Sequence, residues 1–133
     1  MNSLNTEKKQ ELLDYFGKLV IEEVRDGALR VSMDVANYKT INPIKLRQYS
    51  FLSCISEEQR EAVCDLLSET VTDTIYRFLE MFEENTDKMK LLIKKDGHEY
   101  DIVNVSEKMG SEIACYEENG WIQKFSKIGR FVL

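Results

Sequence analysis

The segment that most constrains this chain runs from residue 56 to residue 84. Ser56 is followed three residues later by Gln59, the spacing at which two side chains and two backbone N–H groups cap a helix start reciprocally. Glu57 and Glu58 stand where the positive end of a helix dipole favours carboxylates. Beyond them Val63, Leu66, Leu67, Thr70, Val71, Ile75, Phe78, Leu79 and Phe82 recur with the period of one helical face. The predicted helix reaches about Glu84, which makes it about 28 residues or ~42 Å long. Val63, Leu66, Leu67, Val71, Ile75, Phe78 and Phe82 are the side chains expected to be buried against a partner helix.

That partner is the N-terminal segment. Asn5 or Thr6 can cap a helix that carries Leu13, Phe16, Val20, Val24, Ala28, Val31, Val35 and Tyr38 in one unbroken stripe. Gly27 weakens it by about 1 kcal/mol against alanine. A rival reading stops the helix at Gly27 and makes a strand of the alternation Leu29, Val31, Met33, Val35. Continuity of phase through Gly27 favours the helix.

Pro43 disfavours helical backbone at Asn42, so residues 43–55 read as a connector with a short helix and aromatics that plug the core. Residues 89–95 and 98–105 flank Asp96-Gly97, a pair that tolerates positive φ at both centres of a type I′ turn and so predicts a hairpin. Farther on, Ser106 can cap a helix over 107–117, followed by a turn at Asn119-Gly120 and a short Trp121–Ser126 element; a second hairpin about Asn119-Gly120 competes with it. The expected fold is α+β and mainly helical. Two long amphipathic helices pack together, with a C-terminal β-hairpin and a short helical or hairpin tail.

At 133 residues the chain has the size of one domain, taken as 1–133. Its 43% hydrophobic and 32% charged residues describe a core inside a charged shell. No apolar run spans a bilayer, and the polar residues Met1–Thr6 lead us to expect no signal sequence. Cys54, Cys64 and Cys115 are odd in number and share no metal-site spacing, so reduced thiols and a cytoplasmic location are expected. The net charge of −6 repels phosphate backbones and anionic membranes, which disfavours nucleic acid and membrane and favours a basic protein.

Catalytic signatures are sparse. The single histidine, His98, adjoins the hairpin turn, and no nucleophile elbow or glycine-rich phosphate loop occurs. No cofactor and no catalytic residue are expected. Carboxylates are in surplus. Glu61, Asp65, Glu69 and Asp73 recur at four-residue intervals, where like charges repel, and Glu80, Glu83 and Glu84 crowd the helix end that disfavours them. Either Lys39, Lys45 and Arg47 neutralise this ridge within the fold, or it is held for a basic partner. Glu61, Asp65, Glu69, Asp73 and Glu80 are therefore the candidate partner-binding residues, with Trp121, which follows a turn, as an aromatic anchor.

Glu23 with Asp26, and Glu80 with Glu83, place two carboxylates one helical turn apart and could hold Mg²⁺ if two helices faced each other. The pattern is similar to the Glu-x-x-Glu and Glu-x-x-Asp scheme of helical nucleotide pyrophosphohydrolases, in reversed order and at different spacing. In general character, as an acidic α+β domain without a catalytic constellation, the chain resembles bacterial immunity and antitoxin proteins, which cover a basic enzyme. The resemblance carries over no individual residue. The expected function is a non-enzymatic protein-binding domain of the immunity or inhibitor type that neutralises a basic partner through an acidic helix face. The alternative is a Mg²⁺-dependent helical nucleotide hydrolase.

Overall fold

A computed structural model describes residues 4–106, 109–113 and 120–128. The first helical run, 6–36, comprises α1 (Thr6–Leu19), a π-helical stretch (Val20–Arg25) and α2 (Asp26–Ala36). Asn5 is its cap, accepting from the Lys8 N–H at 2.7 Å. The helix passes through Gly27, and no strand forms at Leu29–Val35. Its apolar face does not stay in line, however. A π turn closes i→i+5 and winds more residues into each turn than an α turn, so everything after it is rotated. Leu13 and Val20 are buried as the stripe predicts, whereas Val24 and Val31 are 53% and 68% exposed. Ile21, Arg25, Leu29 and Ala36 face inward instead.

Asn42 caps α3 (Pro43–Gln48), accepting from the Ile44 N–H, with Pro43 in the first turn where its missing N–H costs nothing. A 3₁₀ turn follows at Ser50–Cys54. The connector contributes Leu52 to the interior; Phe51, expected to plug it, is exposed.

The second long helix, α4 (Glu57–Glu84), has 28 residues, and the predicted capping box between Ser56 and Gln59 is formed. Arg25 reaches Ser68 and Thr72 of α4, and Arg60 donates to the Ala36 carbonyl, so the two long helices pack antiparallel. The buried face of α4 is Cys64, Ser68, Thr72, Ile75 and Leu79. That corrects the expected core. Ile75 is inside, but Leu66 and Phe78 are 63% and 55% exposed, and Val63, Leu67, Val71 and Phe82 are half-buried. The helix is turned by the polar requirement of Arg25, whose guanidinium needs hydroxyls rather than aliphatic side chains opposite it.

The hairpin pairs β1 (Leu92–Lys95) with β2 (His98–Asp101) in antiparallel register, Lys95 opposite His98. Asp96 and Gly97 take φ values of 53° and 80°, as a type I′ turn requires. The predicted second strand was too long: Asp101 accepts from the Val103 N–H and starts a one-turn helix, α5 (Ile102–Val105). A 3₁₀ turn at Met109–Glu112 stands where the 107–117 helix was expected, and residues 107–108 and 114–119 of that helix lie outside the described residues. The last described helix, α6 (Trp121–Phe125), lies against α1.

The main core fills the space between α1 and the C-terminal half of α4. Leu12, Leu13, Val20 and Ile21 meet Ile75 and Leu79 there, together with Ile93, Ile102, Val105, Met109, Ile113, Trp121 and Ile122. Trp121 is 1% exposed and Phe16 meets it edge-on at 5.8 Å. Gly17 permits this approach, since a Cβ there would lie 2.5 Å from indole atoms. The expected architecture is thus present, with short helices in the tail rather than a second hairpin among the described residues.

Candidate functional site

Two polar arrangements stand out, one inside the protein and one on its surface. The inner one is built on Arg25, which is completely buried at the end of the π stretch. Its Nε donates to Thr72 Oγ1 at 3.1 Å and its Nη2 to Ser68 Oγ at 3.0 Å. Its Nη1 donates to Asp26 Oδ1 and to Ser126 Oγ, both at 3.1 Å. Asp26, also buried, accepts from the Ser126 hydroxyl at 2.8 Å and from the Lys127 N–H at 2.7 Å. Burial pushes the Arg25 guanidinium below its ordinary value and Asp26 pushes it back up, and arginine stays charged under such shifts. The cluster ties the first helix, α4 and residues 126–127 together. It is closed, because each carboxylate oxygen of Asp26 already accepts hydrogen bonds from the protein.

This placement bears on the carboxylate pairs. Asp26 is inside and engaged, while Glu23 on the same helix is exposed. Glu83 accepts from the Gly110 N–H at 3.2 Å. Among the described residues no group of three or more His, Cys, Asp or Glu is arranged to hold a metal ion.

The surface arrangement is the acidic side of α4. Glu61, Glu69 and Asp73 are exposed and Asp65 is half-buried. Asp73 is paired with Arg77 at 2.8 Å, within the helix. Asp65 has an interaction of its own. Glu61 and Glu69 form no ion pair with a described residue. The cations expected to neutralise the row are placed elsewhere: Lys45 lies over the Tyr49 ring at 5.6 Å, and Lys39 and Arg47 pair with none of these carboxylates.

Farther along, Glu80, Glu83 and Glu84 gather around Tyr76. Hydrogen bonding to Glu80, then the charges of Glu80 and Glu83, holds the Glu84 carboxyl above the ordinary carboxylate range. Glu80 raises the Tyr76 hydroxyl in the same way. Such shifts mark like charges held close together. Trp121, which could have been either an exposed anchor or a core residue, is packed in the core. What sequence reading missed was Arg25, which in a charged helical segment looks like any solvated arginine.

Among the described residues, no helix is long and apolar enough to cross a membrane. No family model, characterised protein or solved structure matches this chain.

Proposed function

We propose that the protein is a non-enzymatic binding domain that receives a basic protein partner on the acidic side of α4, in the manner of an inhibitor or immunity protein. The observation that carries this reading is the unneutralised charge of that helix. Glu61 and Glu69 have no ion pair with a described residue, and Glu80, with Glu83, raises the proton affinity of the Glu84 carboxyl. Like charges kept together cost the free protein stability. A basic surface removes that cost on binding and is steered toward it beforehand. Glu61, Glu69, Glu80 and Glu84 are the residues assigned to partner contact, with Asp65 and Asp73 beside them.

The isolated protein tests this. Glu69→Gln should leave stability unchanged or raise it by a few tenths of a kcal/mol. Added salt should stabilise the wild type at low ionic strength by screening the repulsion. A loss of about 1 kcal/mol or more in Glu69→Gln, with salt destabilising the wild type, would mean that the ridge is neutralised internally and would remove the basis of the proposal.

A further inference from the structure

Parts of the two apolar stripes most legible in the sequence stay exposed or half-buried among the described residues. On α4, Val63, Leu67, Val71, Thr74, Phe78 and Met81 lie on one arc, flanked by Leu66. Phe78 is 55% and Met81 36% exposed, and Phe78 stacks edge-on with Phe82 at 5.3 Å along the same arc. On the first helix, Val24, Ala28, Val31 and Val35 make the corresponding arc.

These arcs share one side of the helix pair. The helices are antiparallel, with Leu29 and Ala36 turned toward Cys64, Ser68 and Thr72. Starting from those facing residues and stepping about 100° per residue, right-handed winding carries both arcs to the same side. The C-terminal elements occupy the other side, where Gly110 meets the Tyr76 ring and Lys127 binds Asp26. The acidic row of α4 also lies away from the apolar arcs.

We propose that this face is the interface of a homodimer, covered by a second copy of the chain. Three features select that occupant. Val24, Val31, Phe78 and Met81 stand 53%, 68%, 55% and 36% exposed on it, and exposed apolar surface gathered on one side of a soluble protein marks an interaction site. The α4 arc contains none of the helix's nine carboxylates, in a protein of net charge −6. A charged partner therefore finds nothing to pair with here, and the occupant must present an uncharged helical surface of similar length. This chain presents one itself. Stacking two such layers about a two-fold axis completes a four-helix bundle and keeps the acidic rows on the outside, where the two copies repel least. The dimer goes beyond the proposed partner binding and leaves the α4 acidic side free for it.

Sedimentation velocity on the full chain, across a concentration series, tests the proposal directly. The expected species has twice the 15.6 kDa chain mass, and the melting temperature should rise with protein concentration. Val31→Asp and Phe78→Asp, each at an exposed position, should halve the mass while circular dichroism and a cooperative melt show that the fold persists. Thr74→Asp serves the same purpose should Phe78→Asp unfold. A wild type that stays monomeric at high micromolar concentration would overturn the proposal. So would a dimer that survives the folded variants unchanged, since it would then use another face.

Discussion

Replacing Asp26 with alanine removes the counter-charge of a guanidinium that has no access to solvent. Arg25 would keep Thr72, Ser68 and Ser126 as neutral acceptors but lose its ion pair at 3.1 Å. Removing one partner of a buried pair costs about 3–5 kcal/mol, because the remaining charge stays desolvated. The Ser126 hydroxyl and Lys127 N–H also lose an acceptor, but they lie nearer the surface where water can replace it, so they add little. Against a typical total stability of about 5–15 kcal/mol, this is a large fraction. With a urea slope of about 1–3 kcal/mol/M, the midpoint should fall by roughly 2 M. The double change Arg25→Met with Asp26→Leu should recover most of the loss, since an apolar pair of similar volume commonly replaces a buried ion pair at little cost. Equilibrium urea unfolding followed by circular dichroism measures both. A loss below about 1 kcal/mol for Asp26→Ala would refute the reasoning, since it would mean that water reaches Arg25 in the folded protein.

Adjacent positions on α4 should behave oppositely in the monomer: Leu79→Ala should cost about 2–5 kcal/mol as a buried truncation, and Phe78→Ala less than about 1 kcal/mol as a surface change, both read from urea midpoints at protein concentrations low enough to dissociate a dimer. Gly17→Ala drives a methyl group into the Trp121 ring, and should cost about 1–3 kcal/mol or more and shift the tryptophan fluorescence. The Glu84 carboxyl is raised above 4.5 in the folded state, so the folded protein binds this proton more tightly than the unfolded chain and stability falls as pH rises through the window from 4.5 to the raised value. Glu84→Gln should therefore match the wild type below that window and exceed it above, in urea midpoints taken across pH.

Signals confined to a few neighbouring residues were legible in the sequence. Ser56 and Gln59 fix the start of α4 because both capping bonds are made locally, and Asp96-Gly97 fixes the hairpin turn because its backbone angles are a property of that pair. The first helix is continuous through Gly27 as expected, although the phase on which that expectation rests is shifted by the π stretch. The inward-facing sides were not legible, for one connected reason. A π stretch is a shift in backbone hydrogen bonding that leaves no mark in composition, yet it rotates Val24 and Val31 outward and Arg25 inward. Once Arg25 is inside, Ser68 and Thr72 must face it, and α4 turns Leu66 and Phe78 to the surface. Ile102–Val105 read as strand because of its β-branched residues, but the Asp101 carboxylate caps a helical turn there and its bond to Val103 decides the outcome. The acidic row was visible as a row; whether cations lay beside it depended on the placement of Lys39, Lys45 and Arg47, which spacing does not encode.

The central claim is that the acidic side of α4 is held for a basic partner. An isotope-labelled sample of the full chain titrated with an oligolysine peptide, followed by ¹H–¹⁵N correlation spectra, tests it most directly. Shifts should concentrate on the amides of Glu61 to Glu69 and Glu80 to Glu84, saturate at low salt, and vanish in the combined Glu61→Gln, Glu69→Gln, Glu80→Gln, Glu84→Gln variant. Shifts spread evenly over the surface, or centred on the acids of α1 and undiminished in that variant, would contradict the account.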